Sequence, residues 1–392
     1  MGCYKKTRPL VTLPASTSRT DSTVRRYSTA LGVLVLGLLA YLVITFAITV
    51  WRNPHSLTLL IGGFYDEGVV VNKDPVKAAI WYLRAAENGE ALAQYQTGIF
   101  FFEGKGLPAD NAKGFEWMTK SAQQGFPSAE FYLGFANLNG LDTPADPVQA
   151  AKWFRKAAKQ GHAKAQYHLA KLYASGRGVK TNEQRAFFWA SKASAAGIVD
   201  AHLLLANLYL LGRGTPVDLQ QYVRLLTLAA NAGNTDAYEL FGASSLDGTG
   251  MPVDVTAAVQ WFTRAAEQGR ASAQYTLGRL YSDSGKLPVD YPLANRWFLK
   301  AAAQGHAFST GILAMNMDTG RGFERSKVKA CGLLRVALKQ RPPSMEEEMR
   351  SQLEQQEKSL SPQQLEQVAA LETLYSTPEG LGQLSGEITD EQ

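Results

Sequence analysis

The sequence of 392 residues contains two cysteines, Cys3 and Cys331, and five histidines. Two cysteines are too few for a disulfide scaffold or for a zinc site built from cysteine ligands. His162 and His168 are six residues apart, whereas two ligands on one face of a helix are three or four residues apart. We therefore expect neither a metal site nor a cofactor.

Motifs that place a catalytic nucleophile or a catalytic zinc ion are also missing. The sequence contains neither Gly-x-Ser-x-Gly nor His-Glu-x-x-His. Its carboxylates fall mostly at positions expected for helix caps or for solvent-facing side chains. We therefore predict that the protein is not an enzyme. A hydrolase with carboxylates facing each other across a cleft is the least favoured alternative.

The net charge of +5 is too small to indicate nucleic-acid binding. It is also unevenly distributed, because residues 1–29 carry +5, residues 341–392 carry −8 and the segment between them carries +8. Residues 1–29 are basic and rich in Ser and Thr, which predicts a flexible tail. The hydrophobic content of 45% excludes disorder of the whole chain.

One long apolar run, residues 30–51, contains no charged side chain. A helix of about 20 apolar residues spans the hydrocarbon core of a membrane, and aromatic residues favour its interfaces. Tyr27 and Trp51 bracket the run in this way. We predict an uncleaved signal anchor, because a cleaved signal peptide has a shorter apolar region and a small-x-small site that residues 45–47 match poorly. A cleaved peptide and a buried helix are the alternatives.

The basic tail also predicts the orientation of this anchor. The positive-inside rule retains residues 1–29 in the cytoplasm and exports the chain after Arg52. We therefore expect a single-pass protein of the inner (cytoplasmic) membrane whose later residues are periplasmic or otherwise extracytoplasmic.

Residues 57–344 repeat with a constant step of 36 residues, which gives eight units. Each unit has a small residue, a cap residue twelve positions later, a position seven further on that is usually Trp, and in most units a closing Gly. The small residues are Gly62, Gly98, Gly134, Ala170, Ala206, Gly242, Gly278 and Ala314. The cap residues are Asp74, Asp110, Asp146, Asn182, Asp218, Asp254, Asp290 and Ser326. The Trp positions are Trp81, Trp117, Trp153, Trp189, Leu225, Trp261, Trp297 and Leu333, and the closing glycines are Gly89, Gly125, Gly161, Gly197, Gly233, Gly269 and Gly305.

These residue types predict a helix, a turn and a second helix in each unit. The small residue allows another helix to approach closely. Asp, Asn or Ser caps the start of the second helix by accepting hydrogen bonds from free backbone N–H groups. The closing Gly suits the left-handed conformation that ends many helices. The expected fold is all-α, a right-handed α-solenoid after one transmembrane helix, with the Trp and Tyr series in its core. Stacking platforms for bases or sugars are the alternative reading of those aromatics.

The repeating pattern resembles that of Sel-one-like repeats (SLR), which are related to tetratricopeptide repeats. It reads A-x-x-x-L-G-x-x-Y-x-x-G-x-G-V-x-x-D-x-x-x-A-x-x-W-[YF]-x-x-A-A-x-x-G, and residues 165–197 and 273–305 show most of it. The resemblance implies an adaptor or scaffold that binds proteins or peptides, and many such proteins belong to the bacterial envelope. It does not imply an enzyme.

The C-terminal residues follow another pattern. Residues 345–378 are polar and helix-favouring, and Ser361, Pro362 and Gln364 form an N-terminal capping sequence. We predict capping helices over 345–378, because the open end of a solenoid needs a polar cover. Residues 379–392 are predicted to be a disordered acidic tail. A partner-binding acidic tail is the alternative to a cap.

The first helix of each unit offers a candidate binding surface, which we call the A-helix stripe. It consists of the residues two positions before, one after and five after the small residue, and neither packing nor turn chemistry determines them. In the tetratricopeptide-like fold the first helices line a concave groove, so the stripe would face a partner. The predicted contact residues are Tyr132, Phe135, His168, Lys171, Asn207 and Arg279. A merely solvated face is the alternative.

Together these features favour a membrane-tethered adaptor or scaffold. The resemblance places it in bacterial envelope assembly, secretion or signalling, and the anchor would be residues 30–51. The alternative from another class is a carbohydrate- or peptidoglycan-binding envelope protein that uses exposed groove aromatics, so a glycan is a possible partner.

Overall fold

The computed structural model describes residues 54–141, 144–283, 285–340 and 346–389. Regular structure within these ranges is helical, apart from one isolated bridge between Phe323 and Ile388. The chain divides into two compact units, Met1–Ala145 and Asp146–Gln392, and each is described by itself.

Unit 1 contains five described helices. They are α1 Pro54–Glu67, α2 Pro75–Glu87, α3 Ala91–Glu103, α4 Asn111–Gln123 and α5 Pro127–Asn139. Helices α1 and α2 pack as one hairpin and α3 and α4 as the next. The first helix of each repeat is called its A helix and the second its B helix.

Unit 2 begins with a B helix and continues the alternation. Its repeat helices are α6 Pro147–Lys159, α7 Ala163–Ser175, α8 Glu183–Ala195, α9 Val199–Leu211, α10 Leu219–Asn231, α11 Thr235–Asp247, α12 Val255–Glu267, α13 Ala271–Asp283, α14 Tyr291–Ala302, α15 Ala307–Thr319 and α16 Lys327–Lys339. Three further helices, α17 Glu346–Glu357, α18 Pro362–Tyr375 and α19 Pro378–Gln383, precede a 3-10 turn over Leu384–Glu387. The prediction of an all-helical repeat solenoid is confirmed for the described residues.

The predicted cap residues begin the B helices. Asp254, for example, lies in extended backbone conformation and accepts a hydrogen bond from the Ala257 amide at 2.9 Å. The other predicted caps accept in the same way: Asp74, Asp110, Asp146, Asn182, Asp218, Asp290 and Ser326. All seven predicted closing glycines have positive φ, between 80° and 92°. Both sequence predictions are therefore confirmed.

In five of the eight repeats the turn between the A and B helices has a second glycine, whereas the sequence has Val70, Asp142 and Lys286 at this position in the other three. Gly178 has a φ of 74°, and a Cβ there would overlap the carbonyl group of Pro147 at the start of α6. The turn of one repeat thus lies directly on the first residue of the preceding B helix. A side chain at Gly178 would push this turn away from Pro147, and the positive φ also favours glycine there.

The small residue of the A helix faces the residue that follows the Trp position. A Cβ on Gly278 would lie 2.5 Å from the Phe298 ring, and one on Gly62 would lie 2.7 Å from Tyr82. Phe298 is fully buried, whereas Trp297 beside it is half-buried. The prediction that Trp forms the core is therefore only partly right, because the next residue is the more deeply buried one.

The C-terminal helices cover the last repeat. Ser361 and Gln364 form the predicted capping box at the start of α18. Arg335 of α16 forms salt bridges with Glu357 of α17 at 2.6 Å and with Glu372 of α18 at 3.3 Å. The acidic character of this segment thus provides partners for the basic α16.

The predicted disorder of residues 379–392 is wrong for the part that the structure describes, which ends at residue 389. Leu381 and Leu384 are buried in the same apolar cluster as Phe323. Two leucines spaced three apart on a short helical segment give it an apolar face, and this outweighs its polar composition. Lys329 also pairs with Glu387 at 2.6 Å.

The predicted signal anchor, residues 30–51, and the basic tail before it lie outside the described residues. In the part of the chain that the structure describes, we find no helix with the length and apolar character needed to cross a membrane.

Candidate functional site

Two open cavities lie along the A-helix stripe, one in each unit. In unit 1, a mostly apolar cavity of about 400 Å³ lies between α1 and α3. Leu60 and Gly63 of α1 and Gln96 of α3 line it from stripe positions, and Phe64 and Leu92 contribute further apolar surface. This cavity can accept an apolar side chain of a partner.

The cavity in unit 2 combines aromatic and cationic groups. It has a volume of about 240 Å³ and lies between α13 and α15. Arg279 of the stripe donates a hydrogen bond to the Tyr275 hydroxyl at 3.2 Å, and the Arg321 guanidinium lies 5.4 Å from the Tyr291 ring centroid. Met315, another stripe residue, is 40% exposed at its edge. Two guanidinium groups beside aromatic rings suit a partner segment that carries both negative charge and apolar surface.

The predicted residues Tyr132 and Phe135 of α5 differ in accessibility. The Tyr132 ring stacks on Phe102 of α3 with centroids 5.0 Å apart and also lies 6.1 Å from Phe115. Phe135 is 39% exposed, with Phe131 6.3 Å away. Tyr132 therefore contributes to packing between repeats, and Phe135 is the more accessible contact residue.

His168 and Lys171 lie one turn apart on α7. The His168 ring stacks on Phe154 with centroids 5.1 Å apart, and burial lowers its pKa to about 4, helped by the charge of Lys171. This imidazole is therefore neutral at physiological pH and offers a hydrogen-bonding group, not a charge. Lys171 is exposed, with its ammonium 5.5 Å from the Tyr167 ring.

The remaining predicted residues lie on separate helices. Asn207 is exposed on α9, and Arg279 lies on α13 in the cavity described above. Of the six predicted residues, Arg279 alone lines one of the two cavities. His168 and Lys171 share one helix face, as do Tyr132 and Phe135. Their assignment as partner contacts stays a prediction.

Sequence reasoning missed the cavity residues at the two ends of the array. Leu60 and Gly63 stand at stripe positions relative to Gly62, and Ile312 and Met315 stand at the same positions relative to Ala314. Extending the stripe to the first and last repeats would have identified them. Tyr291 and Arg321 lie outside the stripe, and no spacing rule of the repeat predicts them.

A cation covers the indole ring in most repeats. Lys120 lies 4.1 Å from the Trp117 ring, and Lys300 lies 4.1 Å from the Trp297 ring. The same three-residue spacing places Arg84 over Trp81, Lys156 over Trp153 and Arg264 over Trp261. These indole faces are already occupied, which disfavours their use as platforms for sugars or bases.

The two histidines at equivalent repeat positions are N-caps. His162 Nδ1 accepts from the Ala165 amide at 3.2 Å, and His306 Nδ1 accepts from the Ser309 amide at 3.3 Å. Burial lowers the pKa of both histidines. Among the described residues, no three His, Cys, Asp or Glu side chains are grouped closely enough to hold a metal ion.

Comparison with known proteins supports the repeat assignment. The family model described as Sel1 repeat matches seven segments, residues 59–90, 91–126, 127–162, 163–198, 199–234, 237–269 and 271–306. A comparison with curated protein sequences finds no match.

Solved structures of repeat proteins are similar to this chain. The Sel1 repeat protein from Oxalobacter formigenes is 35% identical over 67% of this chain and 76% of its own, with a TM-score of 0.54. The protein c5321 is described as a protective antigen of uropathogenic Escherichia coli with an SLR fold. It is 24% identical over 88% of this chain and 89% of its own, with a TM-score of 0.47. With seven matched repeats across more than half of its length, the chain belongs to the Sel1 repeat family.

Proposed function

We propose that this protein is a membrane-tethered adaptor that binds partner proteins through the A-helix stripe. Sel1 repeat proteins generally serve as scaffolds for protein interactions and are typically not enzymes. The single observation that carries the proposal is the position of the two cavities. In each unit, residues at stripe positions line an open cavity on the A helices.

The chemistry of these cavities supports a peptide as the bound element. The unit 1 cavity is mostly apolar, and the unit 2 cavity offers Arg279 and Arg321 together with Tyr275 and Tyr291. Apolar surface with a few oriented donors suits non-covalent recognition of side chains. An acidic residue next to an aromatic or aliphatic one is the expected feature of a peptide bound in unit 2.

The tether is the apolar run at residues 30–51. The basic residues before this run support an orientation in which the N-terminus lies in the cytoplasm and the repeats lie on the other side of the membrane. This arrangement would place the adaptor in the cell envelope, where assembly, secretion or signalling complexes need anchored scaffolds. A reporter fused after residue 57 tests it, because an enzyme active only outside the cytoplasm should be active there. A reporter active only in the cytoplasm would refute the orientation.

Substitution of exposed stripe residues tests the binding surface. Phe135→Ala and Arg279→Ala should each weaken capture of the partner about tenfold, because exposed aromatic and arginine side chains carry much of the free energy of binding at interfaces. Lys152→Ala on the exposed face of the B helix α6 is the matched control. Partner binding by purified variants would be measured after co-purification identifies the partner. Unchanged binding in both stripe variants would refute the surface.

A further inference from the structure

Two arginines converge on one tyrosine in unit 2, away from the A-helix stripe, and a lysine lines the same pocket. Arg155 of α6 and Arg185 of α8 both donate hydrogen bonds to the Tyr173 hydroxyl, at 3.0 and 3.2 Å. Lys180, in the turn before α8, lines the same open pocket of about 450 Å³. Tyr173 itself is buried and lines this pocket, and the two hydrogen bonds hold its hydroxyl in place.

None of these cations is required by the repeat. Arg155 stands two residues after Trp153, where other repeats have Leu, Thr or Ser, and only the last repeat has another Arg. Lys180 stands two residues before the cap residue, where five repeats have proline. Those prolines are Pro108, Pro144, Pro216, Pro252 and Pro288. The departures occur at separate positions in the sequence, yet the fold brings their side chains together.

The cap residue at this site departs as well. In three other repeats a lysine occupies the place of Arg185, and in two of them it pairs with the aspartate that caps its helix. These pairs are Lys77 with Asp74 at 3.2 Å and Lys113 with Asp110 at 3.3 Å. In the repeat that contains Arg185, the cap is Asn182. Its side-chain oxygen accepts a hydrogen bond from the Arg185 amide at 2.8 Å, but it carries no charge. The acid next in sequence, Glu183, lies 3.8 Å from Arg213 and does not line the pocket.

The two guanidinium groups therefore donate to the same oxygen. The residues that line the pocket include no carboxylate that could neutralise their charges. One nitrogen of each guanidinium group donates to the Tyr173 hydroxyl oxygen, so the distance between these two nitrogens cannot exceed the sum of the two hydrogen-bond lengths. Like charges at this distance repel unless an anion lies between them. The environment of Tyr173 agrees, because burial raises its pKa but the hydrogen bonds from Arg155 and Arg185 outweigh this and lower it.

We propose that Arg155, Tyr173, Lys180 and Arg185 form a binding site for a phosphate-type oxyanion. Guanidinium groups present paired donors that match tetrahedral oxyanions. The tyrosine hydroxyl uses its oxygen to accept from both arginines, which leaves its proton to donate to the ligand. Three positive charges match a doubly charged phosphate better than a single carboxylate. The site is independent of the stripe, because Tyr173 lies three residues after Ala170, on another part of α7.

The decisive variant is Asn182→Asp. It gives the site the cap residue that begins six other B helices, so the fold should be retained. It also supplies Arg185 with the carboxylate that Lys77 and Lys113 already have. The introduced carboxylate should then compete with the ligand for Arg185.

Calorimetric titration with inorganic phosphate tests the site, using the full chain in a non-ionic detergent at constant ionic strength. The wild-type chain should bind one phosphate saturably in the millimolar range or tighter. Affinity should fall about tenfold or more in Asn182→Asp, Arg155→Gln and Arg185→Gln, because a charge-assisted hydrogen bond contributes that much. Arg224→Gln, which removes an exposed charge from α10, is the control and should bind as the wild type does.

Two results would overturn the proposal. One is the absence of saturable phosphate binding by the wild-type chain. The other is binding by Asn182→Asp as tight as that of the wild type, with both proteins folded by circular dichroism. If an arginine variant fails to fold, the Asn182→Asp result decides alone, because it leaves both arginines and Tyr173 in place.

Discussion

At the scale of single residues, the repeat depends on matched sizes at two positions twenty residues apart. A large ring lies across the A-helix glycine at Gly62 and Gly278, and the side chain of Met118 lies across Gly98. Where it has alanine, the matching residue is Ala190, Leu226 or Leu334, none of which is aromatic. The side chains at these two positions are thus complementary in size. A methyl group added at such a glycine would overlap the side chain across from it.

Two adjacent glycines in α1 allow a controlled test of this fit. A Cβ at Gly62 would lie 2.7 Å from the Tyr82 ring, whereas at Gly63 the nearest atom would be the Tyr82 hydroxyl at 3.8 Å. Gly62→Ala should destabilise the protein by about 1–3 kcal/mol through overpacking. Gly63→Ala should stabilise it by about 0.5–1 kcal/mol, because alanine favours helix. Thermal unfolding of both variants measures the difference, and equal effects would contradict the close packing of Gly62 against Tyr82.

His168 makes stability depend on pH. Its folded-state pKa of about 4 is below the usual value of 6.5, so between these values the unfolded state binds more protons. The free energy of unfolding should therefore be largest above pH 6.5 and should fall as the pH drops from 6.5 towards 4, by on the order of 2 kcal/mol from this residue.

His168→Tyr tests this dependence, because Tyr132 occupies the same repeat position. Urea unfolding at several pH values should show a shallower loss of stability for the variant between pH 6.5 and 4. His162, His202 and His306, whose pKa values burial also lowers, are present in both proteins and do not affect the comparison. Identical slopes would mean that His168 is not held neutral against Phe154.

At the scale of helices, local chemistry made most boundaries predictable. The 36-residue period, the cap residues and the closing glycines specify where B helices begin and end, because each acts through backbone atoms within a few residues. Which residue enters the core was harder to predict. Trp297 and Phe298 both recur as large aromatics, and only the rotation of α14 against α13 determines which of the two faces Gly278.

Buried glutamines are a second feature that periodicity alone did not reveal. Gln94, Gln166 and Gln274 each donate a hydrogen bond to a carbonyl at the end of the preceding B helix, at 2.9–3.2 Å. Gln304 in turn donates to the Gln274 side chain at 2.8 Å. The recurrence of glutamine was visible in the sequence, but its partner is a backbone atom whose position comes from tertiary packing.

The order of the C-terminal segment likewise depends on tertiary contacts. Leu384 is fully buried and belongs to the apolar cluster that closes the last repeat. Leu384→Ala should therefore reduce the free energy of unfolding by about 2–5 kcal/mol. Leu228→Ala, at a 43% exposed position of α10, is the matched control and should change it by less than about 0.5 kcal/mol. Chemical denaturation checks both, and a similarly small effect at Leu384 would show that this segment is not part of the folded cap.

At the scale of the whole molecule, the buried positions of the repeat and the stripe positions have different roles. The buried positions of each repeat are filled mostly by small and apolar residues, while the stripe positions include charged and polar residues that differ from repeat to repeat. Variation within a strict repeat singled out the stripe of the central repeats, but Tyr132 and His168 also pack against neighbouring rings, which the variation did not indicate. Tyr291 and Arg321 were not predictable, because Tyr291 begins the B helix α14 and Arg321 follows the end of α15, and only tertiary packing brings both to the unit 2 cavity.

The central claim is that partner proteins bind the A-helix stripe. Photo-crosslinking in intact cells tests it most directly, with a photoreactive amino acid placed singly at Phe135 or Met315 in the stripe and at Lys152 on a B helix as the control. We expect discrete crosslinked proteins, identified by mass spectrometry, from the two stripe positions and none of the same proteins from the control. Crosslinking to the same proteins with equal yield at Lys152, or none from either stripe position, would contradict the claim.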